Sequence, residues 1–143
     1  MLVKQISVFL ENKSGRLAEV TKILGENGIN ISALSIADTT DFGILRLIVN
    51  NPEKAEQVLM ENGFAVSATS VIAIGVEDKP GGLSTALEIL ARESIGIEYV
   101  YAFVGRDGKD AYVILRVENP DKAIDVLTKN NIKVLSSSAV YEF

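Results

Sequence analysis

The sequence predicts an α+β fold of two ferredoxin-like βαββαβ units in tandem, each an antiparallel sheet with its helices on one face. Three observations predict it: a long internal repeat, hydrophobic spacing that switches between strand and helix periods, and helix end signals at matching places. Residues 11–31 set against 77–97 share Glu11, Lys13, Gly15, Leu17, Ile23, Leu24, Ile29 and Ile31, eight of twenty-one positions; composition alone gives about one or two. Residues 51–66 set against 119–134 share Asn51, Pro52, Lys54, Ala55, Val58, Leu59, Asn62 and Val66, eight of sixteen. The offset grows from 66 to 68 between these blocks. Two extra residues are therefore expected near "GRDGKD", 105–110, whose glycines and aspartates favour a longer turn.

The elements follow in order. Ile6, Val8 and Leu10 alternate as one strand face, and Leu17, Val20, Ile23 and Leu24 then recur at helical spacing, with Gly28 placed to end the helix. Leu34 and Ile36 mark a second strand, and Leu45, Leu47 and Val49 a third. In "NPEKAEQVLMENG" Asn51 caps a second helix, Pro52 fills its first turn, Glu53 faces the positive end of the dipole and Gly63 stops it. The second copy repeats this with Asn119, Pro120 and Asp121, and Asn131 stands where the first has Gly63. Closing strands are expected from about Phe64 and over Val134–Phe143.

The expected units are residues 1–70 and 71–143. Each is near the lower size limit for independent stability. No proline or glycine separates Phe64 from Gly75, so the last strand of the first unit is expected to run into the first strand of the second.

Composition narrows the function. The chain of 143 residues is 48% apolar and 23% charged, as in soluble globular proteins. Fourteen basic and nineteen acidic residues give a net charge of −5, which repels nucleic-acid backbones and anionic membranes. With neither cysteine nor histidine, disulfides, thiolate nucleophiles, imidazole bases and the commonest zinc ligands are excluded. No run approaches membrane-spanning length. The opening "MLVKQISVFL" carries Lys4, Gln5 and Ser7 and reads as a strand and not a signal peptide. A cytoplasmic protein is expected.

The most specific stretches are "ENKSGRL" followed by "GINI", and "EDKPGGL" followed by "SIGI". In these two registers the chain resembles a tandem pair of ACT domains, small-molecule sensing modules of amino-acid metabolism. The family pattern is a strand, an Asp-x-Pro-Gly-x-Leu loop, a helix, and Gly-Ile-Asn-Ile leading into the next strand. The resemblance implies a non-catalytic sensor, without metal or cofactor, that binds a free amino acid at interfaces between units. The residues it implies are Asn12, Ser14, Gly15, Arg16, Leu17, Asn30 and Ile31, with Asp78, Pro80, Gly81, Gly82, Leu83, Gly96 and Ile97. The physical fit is good, because glycine lets backbone approach a ligand and free amides at a helix start receive a carboxylate. The copies depart from the pattern in opposite ways. The first has Asn12 and Ser14 where Asp and Pro are usual, and the second has Gly96 where the asparagine stands. Unequal sites, built from more than one unit, are expected.

Plainer readings stand beside these. Each loop also reads as a tight turn that binds nothing, Arg16 as a solvated first-turn arginine, and Glu77 with Asp78 as exposed acids and not a metal site. Ser136, Ser137 and Ser138 read as an edge or interface strand, since nothing activates them as nucleophiles. On the second strand of each unit, the residues facing away from the helices are Ala33, Ser35 and Ala37 in the first copy but Tyr99, Tyr101 and Phe103 in the second. Tyr112 and Ile114 are expected on the same face, and such a patch calls for a cover, the small-residue face of the first unit or of a second chain; a homodimer is expected unless the two faces pack within one chain. Two other functions compete. One is a regulatory subunit docking on a separate catalytic protein without its own ligand; the other is an acyl-phosphate hydrolase using Arg16. An RNA-binding sheet lacks the basic residues it needs.

Overall fold

A computed structural model describes residues 2–38, 41–104 and 108–141 of the chain. The first copy contributes β1 (Val3–Glu11), α1 (Arg16–Glu26), β2 (Ile31–Asp38), β3 (Phe42–Val49) and α2 (Pro52–Glu61). The single strand β4 (Ala65–Glu77) follows, then α3 (Gly82–Arg92), β5 (Ile97–Val104), β6 (Asp110–Val117), α4 (Pro120–Lys129), β7 (Lys133–Val134) and α5 (Ser137–Tyr141). The repeated βαββαβ order is thus present, and β4 spans the junction as one strand of thirteen residues. The extra turn expected at 105–110 falls in part on 105–107, outside the described residues.

By contact density the chain forms two units whose boundary lies inside β4, between Thr69 and Ser70. Their ends are exchanged: Tyr141 belongs with Lys4–Thr69, and Val3 with Ser70–Val140.

In the N-terminal unit β3 pairs antiparallel with β1 (Ile6 with Leu47, Val8 with Leu45) and with β2 (Leu34 with Leu47, Ile36 with Leu45). One face of β1 and β3 presents Ile6, Val8, Leu45 and Leu47 to Val20, Ile23 and Leu24 of α1 and to Ala55, Val58 and Leu59 of α2. These side chains are all buried, and their burial is the main stabilising force of the unit. The C-terminal unit repeats the plan. Its central strand β6 pairs with β4 (Ile72 with Leu115, Ile74 with Val113) and β5, and its core joins these residues to Ala86, Ile89 and Leu90 of α3 and Ala123 and Leu127 of α4.

The helix end signals act as their chemistry dictates. Asn51 accepts from the Lys54 amide and Asn119 from the Lys122 amide, both at 3.2 Å, with Pro52 and Pro120 in the first turns. The Glu53 carboxyl is held below the usual carboxylate range, first by a backbone N–H of its own helix start and then by Lys4. Gly63 (φ 86°) and Asn131 (φ 60°) both stop their helices in the left-handed region. The same pairing recurs at Gly28 (φ 70°) and Ser94 (φ 57°).

One expectation is corrected and another refined. The strand expected over 134–143 is cut short: β7 ends at Val134, a last amide bond runs from Leu135 to Ala73, and 142–143 lie outside the described residues. Ser136 then accepts from the Ala139 amide at 3.3 Å and caps α5, so the serines expected on an edge strand start a helix. Second, Tyr99, Tyr101 and Phe103 do share the outward face with Tyr112 and Ile114, as the β5–β6 register requires. That face is not an open patch, however. Ile114 is fully buried, Tyr112 nearly so, and the other three half-buried, with Phe103 packed edge-on to Tyr112 at 5.6 Å.

The exposed apolar side chains lie elsewhere. Leu34 and Ile36 face the helix side of the N-terminal sheet yet are 48% and 43% exposed. The two helices cover β1 and β3 and stop short of β2. No helix among the described residues is long and apolar enough to cross a membrane.

Candidate functional site

The site is built on the β1–α1 loop and its copy between β4 and α3. Each loop is fastened at its start: Asn12 donates its amide to the Asp41 carbonyl at 3.1 Å, and Asp78 to the Lys109 carbonyl at 3.0 Å. Lys13 and Lys79 then turn back with amide bonds to Glu11 and Glu77. Gly15 and Gly81 follow at φ 89° and 87°, a conformation that any side chain disfavours. Their carbonyls accept the first intrahelical bonds, from Glu19 and Thr85. Having no side chain, neither glycine caps its helix. The amides of Leu17 and Ala18, and of Leu83 and Ser84, precede the first intrahelical donors, Glu19 and Thr85, and carry the positive end of the helix dipole.

Charged groups ring the first loop. Glu11 lies 2.8 Å from Lys13 and 3.8 Å from Arg16, and Arg16 also reaches Glu19 at 3.1 Å. The Lys13 hydrogen bond, then the Lys13 and Arg16 charges, hold the Glu11 carboxyl below its ordinary range. In the second loop Glu77 raises the Lys79 ammonium in the same way.

Two clefts flank the start of α1. On the β2 side, Asn12, Arg16, Leu17 and Ile36 line a space of about 210 Å³. On the other side, β1, α1 and the α2–β4 turn enclose about 250 Å³, lined by Phe9, Phe42 and Phe64 with Glu11 and Arg16 at its rim. The C-terminal unit has a counterpart of this second cleft, about 440 Å³ in volume, where Gly82 stands with Glu77, Lys79, Asp110 and Lys133.

The structure brings some expected site residues together and separates others. Asn12, Ser14, Gly15, Arg16 and Leu17 form the first loop and helix start, and Asp78, Pro80, Gly81, Gly82 and Leu83 the second. Asn30 and Ile31 stand at the far end of the sheet. Asp38 is level with Gly43, and so with Leu10, while Ile31 is level with Val49, seven residues or about 23 Å away along the strand. Gly96 and Ile97 take the equivalent place. Both turns are occupied locally, since the Asn30 amide donates to the Asn50 side chain at 2.9 Å and the Gly96 carbonyl accepts from Glu118 at 3.2 Å. The three phenylalanines were missed in the sequence. A signal existed, because Phe9, Phe42 and Phe64 are replaced by Gly75, Asp110 and Ile132 at the repeat offsets.

The duplicated glycine-opened helix is the hallmark that comparison bears on. Residues 1–143 match the family model described as an ACT domain pair. The chain belongs to the ACT domain pair family. Its fold is similar to a crystallised protein from Bacteroides thetaiotaomicron, with 46% identity, coverage of 100% of this chain and 98% of that one, and a TM-score of 0.95. It is also similar to the ligand-free regulatory subunit of aspartate kinase from Thermus thermophilus (18% identity, 90% and 93% covered, TM-score 0.64) and to that from Thermus flavus (15%, 88% and 90%, 0.61). At those identities the likeness is one of fold. No curated protein matches the chain.

Within this ACT domain pair the loops have diverged for a physical reason. A Cβ on Gly82 would stand 2.1 Å from the Glu77 carbonyl oxygen, so only glycine fits. The turn there is closed by a Gly82–Lys79 bond of 3.0 Å, whereas the matching Arg16–Lys13 bond is stretched to 3.4 Å. The looser turn admits arginine in the first ACT unit.

Proposed function

We propose that this ACT domain pair is a non-catalytic sensor. It binds a free amino acid at its glycine-opened helix starts and regulates an enzyme or pathway of amino-acid metabolism in the cytoplasm. Residues 1–70 and 71–143 act as its two sensing domains. The observation that carries this reading is the pair of helices opened by Gly15 and Gly81, uncapped and each bordered by a cleft. A zwitterion fits such a place, its carboxylate on the helix amides and its ammonium on Asn12 or Asp78. The remote Asn30 and Gly96 segments are supplied to the ligand by another unit. Aspartate kinase regulatory subunits, which share the fold, supply the analogy for a separate catalytic partner.

Calorimetric screening of the twenty amino acids is the test: binding that weakens in Gly15→Ala and Leu17→Asp supports the sensor, and no binding at millimolar concentration overturns it. A second reading rests on the exposed stripe of Leu17, Leu34 and Ile36 along the free side of β2. It makes the chain a docking subunit, covered there by a second copy in a homodimer, and needs no ligand of its own. Nucleic acid and membranes, repelled by the net charge of −5, are not its partners.

A further inference from the structure

The second cleft of the N-terminal unit is unlike its counterpart in the C-terminal one. Phe9 faces Ile44 and Phe42 faces Glu11 across the β1–β3 ladder, so the two rings are diagonal neighbours on one sheet face. Strand alternation holds both on the face away from the helices, where they keep 49% and 56% of their surface exposed. Phe64, packed against the helix-side core, is the third ring that lines the cleft. The three rings leave a space of about 250 Å³. At the rim stand one cation and one anion, Arg16 and Glu11, with side chains 37% and 47% exposed. A ring-lined slot with a carboxylate partner and an ammonium partner at its mouth matches one class of ligand. We propose that this cleft seats an aromatic amino acid, its ring against Phe9, Phe42 and Phe64, its carboxylate on Arg16 and its ammonium on Glu11.

The repeat supplies the contrast. At the same offsets the C-terminal cleft carries Gly75, Asp110 and Ile132, with Lys133 in place of Ala65. It has lost the rings and gained charge, so it offers an aromatic side chain nothing. One aromatic ligand per chain follows. The inference goes beyond the sensor reading: the helix-start sites stand as proposed, and this separate cleft adds an aromatic seat in one unit alone.

The test is calorimetry on the full chain with L-phenylalanine, L-tyrosine and L-tryptophan against L-leucine, L-lysine and L-serine, with all twenty amino acids as the wider screen. The expected result is an aromatic acid bound at one aromatic-selective site per chain, about tenfold more tightly than leucine, the factor that one good ring contact contributes. Phe42→Ser, which alters the most exposed ring, is expected to abolish that preference in a chain that still unfolds cooperatively, and Phe9→Ser provides the second variant. Leucine or a polar amino acid binding as tightly as phenylalanine overturns the aromatic seat and leaves the sensor standing. Aromatic binding unaffected by both variants also overturns it. No amino acid binding at all removes the inference and the sensor together.

Discussion

The Tyr141 hydroxyl serves both main-chain polar groups of Lys4, accepting from its N–H at 2.7 Å and donating to its carbonyl at 3.1 Å. Lys4 lies two residues before the β1–β3 ladder begins at Ile6, so a side chain from the other end of the chain does there what a neighbouring strand does elsewhere. Tyr141→Phe removes the partner of both groups and is expected to cost about 1–3 kcal/mol in a urea titration at pH 7.

The same contact sets a pH dependence. Burial, the largest cause, raises the Tyr141 phenol above its ordinary value of 10, the Lys4 hydrogen bond opposing it in part. The neutral form is favoured in the folded state, so the contribution is complete below pH 10 and lost as pH climbs through the folded value. The stability gap between wild type and Tyr141→Phe is expected to be constant from pH 6 to 9 and to close above it. A gap that widens with alkali refutes the assignment.

The left-handed positions divide by residue type. Gly81→Ala, whose added carbon meets only the Ser84 hydroxyl at 4.0 Å but stands at a φ of 87°, is expected to lose about 1–2 kcal/mol from strain alone. Ser94 already bears such strain at φ 57°, and Ser94→Gly is expected to gain about 0.5–1 kcal/mol after the entropy of glycine is deducted. Chemical denaturation midpoints measure both.

Gly82 and Arg16 test the divergence of the loops. Gly82→Ala forces a carbon against the Glu77 carbonyl and is expected to cost about 2–3 kcal/mol. Arg16→Ala loses only exposed ion pairs and is expected to cost less than about 1 kcal/mol. Equal costs at the two positions would show that the loops are interchangeable.

For the dimer, sedimentation of the wild type at micromolar concentration is expected to give two copies, and Leu34→Lys a monomer. A monomeric wild type sinks the docking surface.

Much of the fold was legible in the sequence because the repeat offered each signal twice. The Asn-Pro caps, the alternation of Ile6, Val8 and Leu10, and the positive φ of Asn131 are local consequences of residue chemistry, and local chemistry is what a sequence displays. The failures were tertiary. Leu34 and Ile36 alternate like core residues, and nothing in their spacing says that the helices stop short of them. The last strand stopped at Val134 and gave way to a helix because Ser136 found an amide three residues on, a competition that β-rich neighbours concealed. The site was half legible. Gly15 and Gly81 announced the helix starts, but the separation of Asn30 from Asn12 follows only from strand direction, and the phenylalanine slot only from three segments converging.

The exchange of ends carries a consequence for how this protein is born. A ribosome extends a chain at about 5–20 residues per second and releases its N-terminal half first. The first half cannot be finished on that schedule, since the hydroxyl that completes Lys4 arrives with Tyr141, 137 residues later. For the seconds needed to make the second half, the nascent first unit stays incomplete, and maturation comes to both halves at once.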